Sequence, residues 1–347
     1  MSLRKLFLVI VMMGLVGLGY FSYFVYNVML VSNTSFSSRQ AYLYIKTNSK
    51  YEQVREDLIP MLNNIETFDV LARQKKYIYN VKAGRYVIEK DMTNNDIINT
   101  IRSKNTPITL SFNNQHSIEQ LAKRVSSQIE ADSLSLIKVF TDSLFLSSND
   151  FTKENILAMY LPNSYEFFWN TSAQRFRSKL YKAYNTFWNF ERKEKAFKIG
   201  MTPVEVSILA AIVQEESKKI SEQPKIAGVY INRLKNNWAL QADPTLKYAA
   251  YKSNDYDGET IKRVLNIHKK IKSPYNTYLN KGLPPGLIAM PDLSSIDAVL
   301  NYEKHSYFYF AANPENPGFH NFARSLKDHN TNAINYQNYL NKKGIKK

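Results

Sequence analysis

Residues 202–217 read TPVEVSILAAIVQEES. Thr202 has a side chain suited to an N-cap, and Pro203 has the fixed φ that suits the first helical position, where an N–H has no partner to lose. Glu205 falls in the first turn, where the positive end of the helix dipole favours it. The run then stays apolar, apart from Ser207, until Gln214, Glu215 and Glu216. At 100° per residue, Leu209, Ile212 and Val213 lie within about 60° of Glu216 around the axis. Glu216 is therefore expected inside the buried stripe, at its C-terminal end, and Glu215 about 100° away at the margin. A carboxyl so placed is desolvated and feels the negative end of the helix, and both effects favour the protonated acid. That is the state a general acid needs near neutral pH. The alternative is a glutamate that closes the last turn by pairing with Lys218 or Lys219.

Around this helix the chain reads as mixed α and β. Upstream, AYLYIKT from Ala41 alternates like a strand, and YEQVREDLIPMLNNI has helical spacing. A strand is expected to end near Ile88. Thr93 is then placed to cap a helix with Asp96 three residues on, and TPITLSF is a further strand. Residues 117–195 are mostly helical in pattern, interrupted by the Pro162-containing YLPNSYEF. Ser32 to Arg39 is short, polar and rich in small residues, as a linker is.

The first thirty residues decide where this machinery works. Arg4 and Lys5 precede an apolar run reaching Val31, longer than the roughly 20 residues that cross a bilayer as a helix. No A-x-A-like cleavage site follows, so an anchor is expected rather than a removed signal peptide. Positive charge before the run predicts a cytoplasmic N-terminus and an exported remainder. The 347 residues carry 46 Lys and Arg against 30 Asp and Glu, a formal charge of +16, and no cysteine. Zero cysteine excludes a disulfide scaffold, a thiol nucleophile and cysteine-ligated zinc. The positive balance suits a polyanion, an anionic membrane face or an acidic polymer, and export removes nucleic acid from that set. There is no G-x-S-x-G, H-E-x-x-H or Walker loop.

Glu followed by Ser at the end of an apolar helix resembles the signature of lytic transglycosylases. Further segments extend the likeness: YLPNSYEFFWNTSA at 160–173, IAGVYINRL at 226–234, LQADPTLKYA at 240–249, SPYNTY at 273–278, GLPPGLIAMP at 282–291, SYFYFAANP at 306–314, HNF at 320–322 and DHN at 328–330. Their succession is similar to that of the endolytic murein transglycosylase family, the MltG or YceG-like proteins. Where the common family motif has a glutamate two residues before the catalytic one, this chain has Gln214.

The resemblance implies an α+β fold in five parts: cytoplasmic N-terminus and transmembrane helix (1–31), linker (32–39), a small LysM-like α+β module (40–105), a mostly helical subdomain (106–195), and a mixed α+β catalytic domain (196–347) built on a lytic-transglycosylase-type active-site helix. It implies cleavage of nascent peptidoglycan strands beside the cytoplasmic membrane, near the synthases of elongation or division. Glu216 is then the catalytic acid. Gln241, Asp243 and Thr245 around Pro244, and Tyr275, Asn276 and Thr277, are candidate substrate contacts; for Thr245 a self-capped turn is an equal alternative, and for Tyr275 half-buried packing. His320 is a further candidate contact, with a structural role as its alternative. His320 and His329 have no carboxylate at helical ligand spacing, so no metal site is expected.

One glutamate suffices for this chemistry. Most glycosidases need two carboxylates because water must attack. A muramyl sugar instead has its own 6-hydroxyl, which attacks C1 once the glycosidic oxygen is protonated, and neither metal nor organic cofactor is required. The competing class is a noncatalytic wall-binding or scaffold protein with the same fold.

Overall fold

The structure, a computed structural model, describes residues 3–253 and 264–343. It is a mixed α+β chain that divides into two compact units. The first holds the residues up to Leu110 with Gln128–Ala131 and Tyr165–Ser172, and the second holds Ser111–Ser127, Asp132–Ser164 and the chain from Ala173.

The first unit begins with helix α1 (Leu3–Met29), whose 27 residues are long and apolar enough to cross a membrane. Strands β1 (Gln40–Ile45) and β2 (Gly84–Glu89) pair antiparallel, Gln40 opposite Glu89 and Ile45 opposite Gly84. Their inward residues Leu43, Ile45, Tyr86 and Ile88 are buried against helices α2 (Tyr51–Leu58), α3 (Ile65–Gln74) and α4 (Asn94–Ser103). The α4 cap is the one expected from sequence: Thr93 accepts from Asp96 N, and Asp96 returns the bond to Thr93 N. Strand β3 (Pro107–Phe112) pairs with β4 (Asn163–Phe168). Residues 32–39 are not a free tether at their start. Asn33 is buried and bonds Asn64 and Asn94, and Asn94 in turn donates to the Val28 carbonyl at the end of α1, 3.0 Å. Buried amides of this kind hold position because each would be costly to leave unpaired.

In the second unit, the region before the quoted segment supplies helices α5 (Ile118–Ser126), α6 (Ser133–Phe140), α7 (Ser143–Ser148), α8 (Ala173–Phe187) and α9 (Phe190–Lys198). Helix α10 (Pro203–Glu216) is the quoted segment, and it starts with a complete capping box between Thr202 and Glu205. It packs against α9, α11 (Gln223–Lys235), α12 (Asp243–Lys252), α13 (Leu293–Leu300) and the turn Ile156–Met159. With neighbours on all sides, every residue from Val206 to Gln214 is buried. This corrects the stripe reading: from Val206 to Gln214, α10 has no solvent face. The cause is visible in the residues, since Ala210 and Ala211, more than about 100° from Glu216 around the axis, are apolar and buried, and Ser207 on the opposite side satisfies its hydroxyl on the Pro203 carbonyl at 2.9 Å. The unit is completed by strands β5 (Tyr309–Ala312) and β6 (His320–Ala323), paired antiparallel, and by α14 (Leu326–Lys342).

Candidate active site

Helix α10 ends at Glu216 because Ser217 turns to extended backbone while its N–H still caps the Val213 carbonyl. Glu216 points into a cavity of about 320 Å³. Glu215 points elsewhere and pairs with Lys218 at 2.7 Å, so the lysine partner foreseen for the last turn is taken by the other glutamate.

Helix α11 forms one wall. Gly228 lets the segment 303–305 lie against this helix, since a Cβ there would collide with the Glu303 carbonyl and stand 2.6 Å from His305 Nε2. The close approach places β5 across the α11 face that carries Tyr230 and Arg233, three residues apart and hence on one side. Tyr230 donates its hydroxyl to Glu216 Oε1 at 2.6 Å. Arg233, buried, donates to the carbonyls of Phe308 (2.8 Å) and Leu240, which ties the helix to the strand and to the loop before α12. Its guanidinium lies 6.0 Å from the Tyr230 ring and 5.7 Å from that of Tyr309.

Burial pushes the Glu216 carboxyl up from 4.5 to about 7. The Tyr230 bond opposes that rise, the negative charge of Asp243 adds to it, and Lys247 and Arg233 oppose it. The result is a carboxyl close to half-protonated at neutral pH. It can release a proton and take one back at similar cost, as an acid that must then act as a base requires.

Gln241 and Asp243 line the same cavity. Gln241 sits in left-handed backbone (φ 50°) and donates its N–H to Thr277 O at 3.0 Å. Asp243 accepts from the Tyr278 hydroxyl at 2.7 Å. Thr245 and Thr277 are buried behind them: their hydroxyls meet at 2.8 Å, and Thr277 Oγ1 accepts the Ala242 N–H at 3.0 Å. Asn276 is buried too, donating to the Lys269 and Ile271 carbonyls and accepting from Tyr278 N. These three hold Gln241, Asp243 and Tyr278 in place and do not line the cavity. Tyr275 faces a separate cavity beside Tyr248. His320 clasps Glu222 through Nδ1 (2.8 Å) and its backbone N–H (2.7 Å), one layer behind the cavity-lining Phe310.

Sequence reasoning did not select Tyr230, Arg233, Tyr278, Tyr309 or His329, all of which line the cavity. His329 stacks on Tyr309 with ring centroids 5.2 Å apart, and burial and the nearby Arg233 push its pKa down, which favours the neutral ring. Only the three-residue spacing of Tyr230 and Arg233 downstream of Glu216 gave a local signal. Gln214 plays a different part. Its Oε1 accepts from Asp292 N (2.6 Å) and lies 3.0 Å from the Ser295 hydroxyl, which also lies 2.9 Å from Gln223 Oε1. Gln223 donates to the Ser217 carbonyl at 3.0 Å, so this buried network reaches the end of the helix that presents Glu216.

The fold and this single-glutamate cavity agree with the comparison to protein families. The YceG-like family model matches residues 43–335, and the chain belongs to that family. Among individual proteins it is similar to the endolytic murein transglycosylase of Bacillus subtilis (strain 168), 32% identical over 307 aligned positions that cover 79% of this chain and 81% of the relative. It is also similar to the endolytic murein transglycosylase of Streptococcus pneumoniae, 27% identical over 301 positions, where it matches 78% of its own length and 53% of the relative's. A crystal structure of a YceG-like protein from Listeria monocytogenes superposes on 85% of this chain and 99% of that one, with a TM-score of 0.55 and 26% identity.

Proposed function

We propose that this chain is a membrane-anchored endolytic lytic transglycosylase acting on peptidoglycan. It cleaves the MurNAc-β-1,4-GlcNAc bond of nascent glycan strands and leaves 1,6-anhydroMurNAc ends, with Glu216 as general acid and then general base. The observation that carries this reading is the carboxyl of Glu216, held near neutrality by burial at the end of α10 and hydrogen-bonded to Tyr230 in an open polar cavity.

In the first step Glu216 gives its proton to the glycosidic oxygen. The C1–O bond breaks, the GlcNAc hydroxyl leaves, and positive charge develops at C1 and the ring oxygen. Tyr230 and Arg233 stabilise the carboxylate that remains. In the second step that carboxylate takes the proton of the muramyl 6-hydroxyl as its oxygen bonds to C1, and Glu216 returns to its starting state. No water is consumed. Asp243, across the cavity with Tyr278 on one oxygen, contributes negative charge toward the developing cation.

Asp243 also supports a second reading, hydrolysis. A second carboxylate in the same cavity is what an inverting or retaining glycosidase requires. The two readings differ in the product: anhydro ends in one, reducing ends in the other. Mass analysis of murein digested by the purified chain tests the proposal, with anhydro ends expected and lost in Glu216→Gln.

Arg4 and Lys5 in the first turn of α1 support a cytoplasmic N-terminus with the rest outside the inner membrane. The five-part division, the LysM-like character of residues 40–105 and the neighbouring synthases belong to the same proposal. A noncatalytic scaffold would have no use for a desolvated carboxyl, which costs stability at neutral pH.

A further inference from the structure

The second unit has another cavity, of about 450 Å³, onto which Tyr275 opens. Its ring lies 4.8 Å from that of Tyr248, the two planes tilted by 57°. Gly286 permits the chain to pass here, because a Cβ would collide with the Glu154 carbonyl and stand 3.0 Å from Tyr275 Oη. Lys153, Lys252 and Lys272 surround this aromatic pair. Lys252 lies 5.8 Å above the Tyr248 ring, and Lys153 and Lys272 are exposed, forming no ion pair among the described residues. Glu119 and Glu154, both exposed, complete the charged rim of the cavity.

The cavity is joined to the catalytic one by two elements. Helix α12 starts at Asp243, in the catalytic cavity, and ends at Lys252, in the second. At 1.5 Å per residue those ends are about 14 Å apart. The turn after Lys272 likewise begins with Tyr275 in the second cavity and reaches Tyr278 in the first. A ligand of the catalytic cavity that carries side branches has a second binding place within one helix length.

We propose that this cavity binds a stem peptide of the murein strand, with its carboxylates at Lys153, Lys252 and Lys272 and its apolar side chains on Tyr248 and Tyr275. The inference rests on the reading of the catalytic cavity given above. Its ligand class follows from the lining. Two tilted tyrosine rings give apolar faces for peptide side chains, which a phosphodiester polymer lacks. The rim also mixes lysines with two glutamates, which matches a peptide bearing both amine and carboxylate groups and repels a pure polyanion.

The test uses the full chain in detergent with Glu216→Gln, so that strands bind without being cut. Co-sedimentation is measured with murein sacculi freed of teichoic polymers, either stem-bearing or stripped of stems by an amidase, and with sacculi that retain the polymers. Stem-bearing murein should bind more tightly than stripped murein. Adding Lys153→Glu and Lys272→Glu should reduce that ratio by about five- to tenfold, while the thermal midpoint stays within about 2 °C because both lysines are on the surface. A ratio unchanged by the two substitutions overturns the proposal, as does equal binding of the two forms or a loss seen only with the teichoic polymers present. Failure of the unsubstituted chain to release anhydro ends would instead count against the catalytic reading, since binding here is measured without cleavage.

Discussion

Tyr230 stands 2.6 Å from Glu216 and donates its only hydroxyl proton to Oε1 of the carboxyl. The bond favours the ionised form of a group that burial pushes the other way, to about 7. Glu216 is thus poised between two opposing environments, and each can be removed separately.

Activity should fall as pH rises through about 7, because the starting acid loses its proton there. Tyr230→Phe removes a bond that favours the carboxylate, so the alkaline limb should move to higher pH, with lower turnover at its plateau. Asp243→Asn removes a like charge that favours the acid, so the limb should move to lower pH. Release of anhydromuramyl ends as a function of pH measures both. Shifts in the same direction would contradict this electrostatic account.

Stability should report the same carboxyl. Its folded pKa is raised from 4.5 to about 7, so the folded state holds the proton more tightly than the unfolded chain does. The fold therefore loses stability as pH rises from 4.5 to 7, and the loss is complete above that window. Glu216→Gln removes this penalty. The variant should gain up to about 3 kcal/mol at pH 8 and nothing at pH 4. A gain that did not grow with pH, measured by denaturant unfolding at the two values, would show that the carboxyl is not desolvated.

What the sequence made legible was local. The capping boxes at Thr93 and Thr202, Pro203 at the first helical position and the end of α10 at its glutamates all depend on residues within one turn of each other. The position of Glu216 was legible for a partly mistaken reason. It is desolvated because five elements surround α10 and enclose its end, not because one stripe faces a core. Tyr278, Tyr309 and His329 were not legible as site residues, because they reach Glu216 only through tertiary packing of distant segments. Thr245, Asn276 and Thr277 have the residue types of sugar contacts, yet their polar groups are consumed internally: Thr245 and Asn276 bond carbonyls of nearby residues, and Thr277 accepts the N–H of the distant Ala242. Residue type alone does not separate these two uses.

The two adjacent glutamates should differ sharply. General acid–base catalysis contributes about 10²–10⁴-fold, and Glu216→Gln should lose at least that much turnover while remaining folded. Glu215 is paired with Lys218 outside the cavity, and an exposed pair of this kind contributes at most about 1 kcal/mol. Glu215→Gln should therefore keep turnover near that of the unsubstituted chain. Initial rates of both variants on purified strands decide the assignment, and full activity in folded Glu216→Gln would end it.

The proposed topology rests on charge at one end of α1. A reporter active only outside the cytoplasm, fused after Lys347, should be active, and moving the positive charges of Arg4 and Lys5 to the far side of α1 should reduce that activity. A fusion active only in the cytoplasm would place the cavity on the wrong side of the membrane for its substrate.

The central claim is that Glu216 transfers a proton to and from the sugar without water taking part. It is tested most directly by digesting purified glycan strands in oxygen-18 water and weighing the new muramyl ends. The account predicts anhydro ends that carry no label. Labelled reducing ends would contradict it and establish hydrolysis, with Asp243 as the second carboxylate.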